Sequence, residues 1–282
     1  MKKKHKMFAG AAGVLVLAWF FYNQNNSIVT THLTMQSKDL PVGFDDYKIV
    51  HLSDLHSKSF GEDQHKLIGE IQGLEPDIFV FTGDLVDSRR YNEQTSMNLM
   101  EQLTDIAPVY YVTGNHEARS GKFKGLENKL EAAGIHVMRN RSVELERQGE
   151  FIQLLGVDDP LQPADDDERN AMEERLARVT EKMNGDDFMI LLSHRPELLS
   201  LYSQFEVDLV FSGHAHGGQI RLPWIGGMIA PGQGLFPEYT AGEYTENGTA
   251  MVVSRGLGNS LFPLRVFNRP EIIAVTLKAE EG

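Results

Sequence analysis

Two histidines, His214 and His216, lie two positions apart among three glycines in the segment FSGHAHGGQI, residues 211–220. Imidazole nitrogens bind divalent metal ions, and glycines let a backbone approach a small charged group closely. The apolar run that leads into this segment predicts a buried strand that holds it in place. The segment therefore predicts part of a metal site, whose remaining ligands have to come from elsewhere in the chain.

Five apolar runs, including this one, end in residues of the same chemical type. The carboxyl ends of parallel strands meet at one edge of an α/β sheet, where ligands bind, so we expect these residues to lie together. A single Asp or His in such a position is most often a helix cap or a satisfied polar group, but capping explains five occurrences poorly. The predicted strands and the residues that follow them are Tyr47–Leu52 with Asp54 and His56, Ile78–Thr82 with Asp84, Val109–Thr113 with Asn115, His116 and Glu117, Phe188–Leu192 with His194, and Leu209–Phe211 with His214 and His216.

The residue types favour two divalent cations such as Mn, Fe or Zn, because the chain has no cysteine and offers only oxygen and imidazole ligands. Two cations ~3.5–4 Å apart can hold both the attacking and the leaving oxygen of a phosphoryl transfer. A bridging carboxylate has to offset their repulsion, and Asp84 after Gly83 is the candidate. The Asp-x-His and His-x-His spacings predict alternate side chains on one side of an extended segment, and we expect the glycines after His216 to clear the approach of substrate.

Predicted helices alternate with these strands, which indicates an α/β fold without an internal domain boundary. Further strands are predicted at Phe151–Leu155, Gln219–Leu222 and Glu271–Lys278, and Asn247-Gly248 predicts the turn of a hairpin. An acidic run at residues 165–168 predicts a solvated helix start, with a metal role as the lesser alternative. The helices are expected at about residues 63–74, 93–106, 122–133, 166–183 and 196–204.

The first 27 residues differ in composition from the rest of the chain. Lysines at positions 2, 3, 4 and 6 precede an apolar stretch, Met7–Tyr22, that ends in aromatic side chains. This order predicts an uncleaved, single-pass anchor in the cell membrane, with the lysines in the cytoplasm and the domain of residues 28–282 on the extracytoplasmic side. A cleaved signal peptide is the alternative.

The series of ligand-type residues resembles the signature of the calcineurin-like metallophosphoesterase family, with all five blocks in the family's order between residues 47 and 220. The N-terminal segment, the GHAHGGQI block and the tail SRGLGNSLFPLRVFNRPEIIAVTL are similar to the bacterial membrane-associated branch of that family. The resemblance implies a four-layer α-β-β-α sandwich for the domain.

The resemblance also implies a role for each residue of the series. His116 would act beside the phosphate as general acid or transition-state donor, and Glu117 would either orient it or have a structural role. A hydroxide bridging the metals would be the nucleophile. One metal ion would be bound by Asp54, His56, Asp84 and His216, and the other by Asp84, Asn115, His194 and His214.

These features predict a metal-dependent phosphoesterase for a phosphomonoester, phosphodiester or pyrophosphate. The family branch is similar to hydrolases of UDP-2,3-diacylglucosamine, which implies a lipid-linked substrate, whereas an extracytoplasmic domain favours a generic phosphodiester or a cell-envelope phosphate. The alternative is a non-catalytic, membrane-anchored scaffold that kept the fold. Arg255 and Arg265 are expected either to bind substrate phosphate or to form surface ion pairs.

Other functional classes fit the sequence less well. A net charge of −13 argues against nucleic acid as a partner, because phosphate backbones bind basic surfaces. The sequence lacks a His-Glu-x-x-His segment, which argues against a metallopeptidase. The oligomeric state is left open by the sequence.

Overall fold

Two six-stranded mixed sheets stack face to face at the centre of the described part of the chain. The computed structural model describes residues 2–161, 167–183, 185, 187–259 and 262–280, with only the backbone described at residues 2–4 and 6–9. In spatial order the first sheet consists of β1 (Val29–Ser37), β16 (Glu271–Ala279), β2 (Lys48–Leu52), β3 (Ile78–Thr82), β4 (Val109–Val112) and β5 (His136–Val137). The second consists of β14 (Gly242–Glu246), β15 (Thr249–Val253), β9 (Leu209–Ser212), β8 (Met189–Leu192), β7 (Glu150–Gly156) and β6 (Arg141–Arg147).

Parallel pairing brings the carboxyl ends of the central strands to one edge of each sheet. β2, β3 and β4 are parallel neighbours in the first sheet, and β7, β8, β9 and β15 are parallel neighbours in the second. Most side chains of these strands are buried on both faces, which explains why the sequence shows continuous apolar runs there. The turns that follow β2, β3, β8 and β9 therefore start from neighbouring points.

Helices pack on the outer faces of the two sheets. Leu67, Leu103 and Leu130 join the outer face of the first sheet in one apolar core, while Leu176 and Tyr202 join that of the second. A third core lies between the sheets. The order of layers is thus helix, sheet, sheet, helix, in agreement with the α/β fold that the sequence predicts. The helices are α1 (Lys2–Asn26), α2 (His65–Gln72), α3 (Glu93–Thr104), α4 (Asn115–Ser120), α5 (Phe123–Ala132), α6 (Glu168–Thr180) and α7 (Leu199–Tyr202).

The N-terminal helix α1 ends against a loop near the C-terminus of the chain. Oδ1 of Asn25 accepts a hydrogen bond from the backbone N–H of Arg265, and Oε1 of Gln24 accepts one from Asn268. Within the residues that the structure describes, no helix is both long and apolar enough to cross a membrane. The predicted anchor thus finds no support in these residues, and the boundary after residue 27 stays a prediction.

The predicted elements differ from the observed ones where apolar side chains are sparse. The sequence does not predict β1, β5 and β6, because polar or charged residues interrupt their apolar pattern. The predicted strand at Gln219–Leu222 does not extend a main sheet. Only its last two residues form a strand, β10 (Arg221–Leu222), which pairs with β11 (Gly226–Gly227) in a separate hairpin. A second short hairpin follows, formed by β12 (Ile229–Ala230) and β13 (Gly234–Leu235).

One helix prediction needs correction, and the predicted helix start at the acidic run is confirmed in its described part. The helix expected at 196–204 is interrupted, because α7 is flanked by 3-10 turns at Pro196–Leu198 and Ser203–Phe205. Part of the acidic run at 165–168 lies outside the described residues. Within the described part, the side chain of Asp167 accepts hydrogen bonds from the backbone N–H groups of Arg169 and Asn170 and caps α6.

Candidate metal centre

The seven predicted metal ligands lie together where the carboxyl edges of the two sheets meet. The turns after β2, β3, β8 and β9 supply six of them, and Asn115, the first residue of α4, is the seventh. The six form two groups, within each of which the ligand atoms lie within 4.8 Å of one another, and Asp84 belongs to both groups. One group is Asp54, His56, Asp84 and His216, and the other is Asp84, His194 and His214.

Ring nitrogens within each group face one another at short range. Nε2 of His56 lies 3.0 Å from Nε2 of His216, and Nδ1 of His214 lies 3.1 Å from Nε2 of His194. Oδ2 of Asp84 is 3.5 Å from Nε2 of His56 and 3.4 Å from Nε2 of His194. The carboxylate of Asp84 therefore lies between the two groups, where a bridging ligand would have to be.

Two buried side-chain oxygens of the predicted ligands have no hydrogen-bond partner among the described residues. They are Oδ1 of Asp54, which lies 3.3 Å from Nε2 of His216, and Oδ1 of Asn115. A buried oxygen without a partner costs about 1–3 kcal/mol. Divalent cations would satisfy both oxygens, and a donor set of carboxylate, amide and imidazole suits Mn, Fe or Zn. The residues present therefore fit the cations that the sequence predicts.

Five of the predicted ligands have a left-handed backbone, which residues with a Cβ atom rarely adopt. Such a conformation costs about 1–3 kcal/mol and is concentrated at functional sites. These φ angles also show that the prediction for the Asp-x-His and His-x-His spacings is wrong. The paired ligands do not alternate along extended segments but converge from tight turns. The φ angles are 53° at Asp54, 49° at His56, 52° at Asp84, 64° at His214 and 48° at His216.

Glycines let the ligand-bearing turns pack directly against one another. Gly83 has a φ of 88°, and a Cβ there would lie 2.5 Å from the backbone N of Gly114. A Cβ on Gly213 would collide with Oγ of Ser53 and with a carboxylate oxygen of Asp54. Only backbones without side chains can approach this closely, which explains the glycine before three of the predicted ligand segments.

The two glycines after His216 face the protein and not the cavity. A Cβ on Gly217 would collide with the side chain of Asn268, and one on Gly218 would collide with Gly227. The prediction that these glycines clear the approach of substrate is therefore wrong. They instead admit Asn268, whose Nδ2 donates a hydrogen bond of 2.7 Å to the carbonyl oxygen of His216 and fixes the turn.

Glu117 holds the ligand turns together. Its buried carboxylate accepts hydrogen bonds from the backbone N–H groups of Asp84 at 2.9 Å, Gly114 at 2.7 Å and Val86 at 3.2 Å. Burial and the charge of Asp84 raise the pKa of Glu117 to about 7. In the described structure no hydrogen bond joins Glu117 to His116, so of the two roles left open by the sequence the contacts favour the structural one.

His116 lies at the edge of the site with one ring nitrogen already engaged. The backbone N–H of Ser88 donates to Nδ1 at 3.0 Å, so the proton of the neutral ring is on Nε2. Burial lowers the pKa of His116, which favours the neutral ring at pH 7. Nε2 can therefore donate a hydrogen bond, as the predicted role requires. With His56 and Asp87, however, His116 also forms a third group of metal-ligand type.

Mutual attraction keeps carboxylates of the site ionised. Burial raises the pKa of Asp84, but the charge and hydrogen bond of His194, together with the charges of His56 and His116, outweigh it and hold this pKa well below its usual value. Burial lowers the pKa of His194, but Asp84, together with the charges of Asp54 and Asp159, reverses the effect and raises it to about 10. Burial lowers the pKa of His216 to about 3, so that its ring is neutral and its nitrogen is available to a metal ion.

A cavity of about 250 Å³ opens beside the two ligand groups and is lined by three arginines that the sequence does not predict, Arg89, Arg119 and Arg195. The guanidinium of Arg195 is fixed by the carboxylate of Asp159 through contacts of 2.5 and 3.1 Å. The position of Arg195 directly after the predicted ligand His194 could have indicated that it lies at the site. Arg89 and Arg119 come from a loop and from α4, away from the strand ends, and gave no comparable signal.

The two arginines that the sequence proposes for phosphate binding do not line this cavity. Arg265 is buried and donates hydrogen bonds to the carbonyl oxygens of Arg255, Gly258 and Asn268. Nε of Arg255 lies 3.5 Å from a carboxylate oxygen of Glu271. These contacts brace the loop that follows β15, and binding of phosphate by either arginine stays a prediction.

The family follows from the sequence pattern that spans the site. The calcineurin-like phosphoesterase pattern matches residues 47–218, a span that contains all seven predicted ligands. The chain belongs to the calcineurin-like phosphoesterase family. It is 34% identical over 263 residues to YkuE of Bacillus subtilis (strain 168), which is named an uncharacterized metallophosphoesterase, and the match covers 92% of this chain and 88% of that protein.

Two further comparisons concern a longer relative and the fold. The chain is 28% identical over 258 residues to the transmembrane protein with metallophosphoesterase domain of Danio rerio, covering 85% of this chain and 55% of that protein. The solved structure of TT1561 from Thermus thermophilus superposes with a TM-score of 0.52 at 16% identity, covering 75% of this chain and 90% of that one. The latter match shows a shared fold.

Proposed function

We propose that the chain hydrolyses a phosphate ester with two divalent cations held where the carboxyl edges of its two sheets meet. The observation that carries this proposal is the position of Asp84, whose carboxylate oxygen lies within 3.5 Å of imidazole nitrogens of both ligand groups. Family membership supports metal-dependent phosphoester hydrolysis as the reaction class. Asp54, His56 and His216 would complete one cation site, and Asn115, His194 and His214 would complete the other.

Bound in this way, divalent cations would supply Lewis-acid polarisation of the phosphoryl group and would lower the pKa of water toward neutrality. The residues of the chain then position the ester. Arg195, fixed by Asp159, would bind phosphate oxygens at the cavity wall. Nε2 of His116 would donate a proton or a hydrogen bond to the leaving oxygen, while Ser88 keeps that proton on Nε2 by occupying Nδ1.

The proposed substrates are phosphomonoesters, phosphodiesters and pyrophosphates, including lipid-linked ones. Three arginines around the cavity favour a multiply charged phosphate group. We also infer a membrane-associated location with the domain on the extracytoplasmic side, as the lysines before the apolar stretch of the first 27 residues predict. The relative from Danio rerio, which is named a transmembrane protein, supports the membrane association.

An activity screen of the full chain tests this function. After reconstitution with Mn²⁺, we expect turnover of at least one of three substrate classes: phosphomonoesters, phosphodiesters and lipid pyrophosphates. Chelation should abolish it, and Asp84→Asn should lower it strongly, while the exposed control variant Glu101→Gln retains it. A chain that binds two cations but hydrolyses none of these classes would favour the non-catalytic scaffold.

A further inference from the structure

Exposed apolar side chains are concentrated in a small part of the molecule. Among the described residues, all of the large exposed apolar side chains except Val42 and Phe151 lie in three segments: α1, the hairpin segment 222–236 and the loop segment 262–267. Single exposed apolar residues are ordinary, but a contiguous group of them marks an interaction surface. We refer to the exposed side chains of segments 222–236 and 262–267 together as the apolar face.

Backbone and ring contacts hold these segments side by side. The N–H of Arg221 donates to the carbonyl oxygen of Val266 at 2.9 Å, which joins the first hairpin to the loop. Met228 joins the two hairpins, because its N–H donates to the carbonyl oxygen of Ile220 at 2.9 Å and its carbonyl oxygen accepts from the N–H of Phe236 at 3.0 Å. The rings of Phe20 and Phe267 lie 5.6 Å apart, so that α1 continues the apolar face.

The side chains of the apolar face are of the kind that enters a lipid interface. Trp224 is fully exposed at 102%, and Leu235 and Phe236 of the second hairpin are exposed at 70% and 65%. Aromatic rings, tryptophan above all, favour the boundary between lipid headgroups and acyl chains. These side chains project from short hairpins and a loop, so they can reach a bilayer surface ahead of the rest of the domain.

The apolar face carries no acidic side chain, and two partly exposed arginines, Arg221 and Arg269, flank its segments. Although the chain has a net charge of −13, no acidic residue occurs between Asp208 and Glu238 or between Glu246 and Glu271. The apolar face lies within these two intervals, whose other arginines are Arg255, which lies against Glu271, and the buried Arg265. A protein partner of ordinary composition does not require this exclusion of acids, whereas anionic lipid headgroups repel carboxylates and attract arginine.

We propose that the apolar face docks on the surface of a lipid bilayer that contains anionic lipids. The docking would set the position of the candidate metal centre, because Pro231 and Gly232 of the second hairpin line its cavity. Asn268, next to the loop segment, also donates a hydrogen bond to the carbonyl oxygen of His216. The cavity would then lie at the level of the headgroups. This placement concerns the surface alone and can be tested without any substrate.

Trp224 provides a direct probe, because the chain contains only two tryptophans. The full chain with Trp19→Phe retains Trp224 as its single tryptophan. On addition of vesicles of phosphatidylglycerol and phosphatidylcholine, we expect its emission to shift to shorter wavelength. Lipids with bromine on their acyl chains should quench it. Emission that stays unchanged while the chain sediments with the vesicles would mean that α1 alone binds, and would overturn the proposal.

Matched variants on the same background separate the apolar face from other exposed residues. Leu235→Ser with Phe236→Ser should reduce the quenching of Trp224, whereas Val42→Ser with Phe151→Ser should leave it unchanged. Circular dichroism checks that both variants fold. Equal quenching by vesicles of phosphatidylcholine alone would contradict the role of anionic lipid. A Trp224 already shielded from iodide without vesicles, in a species of twice the mass, would assign the face to a second copy of the chain.

Discussion

The side chains around Asp84 divide into those that meet the two ligand groups and those that meet the cavity. Asp84 contacts both ligand groups, because its carboxylate lies between them. Arg195 lines the cavity and is held in a fixed position by Asp159. His116 belongs to the cavity wall but also lies near His56, so its role has to be separated by experiment.

His116→Gln separates a proton donor from a metal ligand. If Nε2 of His116 only donates to the leaving oxygen, the variant should keep its metal content and lose turnover by about 10²–10⁴-fold. The loss should shrink for nitrophenyl esters, because nitrophenolate leaves without a proton. Elemental analysis and rates on a series of leaving groups measure both effects. Loss of metal in proportion to activity would instead make His116 a ligand.

At the scale of elements, the turns after the strands set the geometry of the site. Their close approach depends on glycine, and Gly213 is the tightest case because a Cβ would collide with Ser53 and Asp54. Gly213→Ala should therefore destabilise the fold by about 1–3 kcal/mol and lower its affinity for metal. Denaturant unfolding and metal titration measure these effects.

Gly125 in α5 is the matched control for Gly213. A Cβ there meets no atom within 4 Å, so Gly125→Ala should stabilise the helix by about 0.5–1 kcal/mol and leave metal binding unchanged. Equal behaviour of the two variants in the metal titration would show that the turn after β9 does not need its glycine.

The residue directly before β9 carries a carboxylate whose ionisation opposes folding. Burial, aided by the charge of Asp39, raises the pKa of Asp208 to about 6 from an ordinary value of 3.8. Its ionised form therefore destabilises the folded chain above about pH 6, and the effect disappears below the unfolded-state pKa of 3.8. Asp208→Asn should raise the melting temperature at pH 7.5 by about 2–4 °C, with a gain that fades as the pH falls toward 4.

The melting temperatures of Asp208→Asn and of the exposed control Glu101→Gln, measured from pH 4 to pH 8, check this prediction. The amide oxygen can still accept the 2.7 Å hydrogen bond from the backbone N–H of Met189, so the contact itself is preserved. A gain that is independent of pH would show that the charge of Asp208 is not its cause.

At the scale of the whole molecule, the sequence predicts the buried central strands and the position of the ligands that follow them. The continuous apolar runs of β2, β3, β8 and β9 locate the turns after them, and so the ligands that share an edge. β1 escaped prediction because its Thr, His and Gln residues hide the alternation of a half-buried strand. The sequence does not predict the cavity arginines, because their approach to the site depends on the packing of loops and not on the spacing of residues along the chain.

The central claim, that Asp84 bridges two cations in a phosphoesterase, is tested most directly by counting metal ions. The full chain, reconstituted with manganese and freed of excess metal, should contain two ions per chain by elemental analysis. Asp84→Asn should lose metal and turnover together, because the shared ligand then lacks the charge that offsets repulsion between the cations. A saturating value of one ion per chain, or an Asp84→Asn variant that keeps two, would contradict the account.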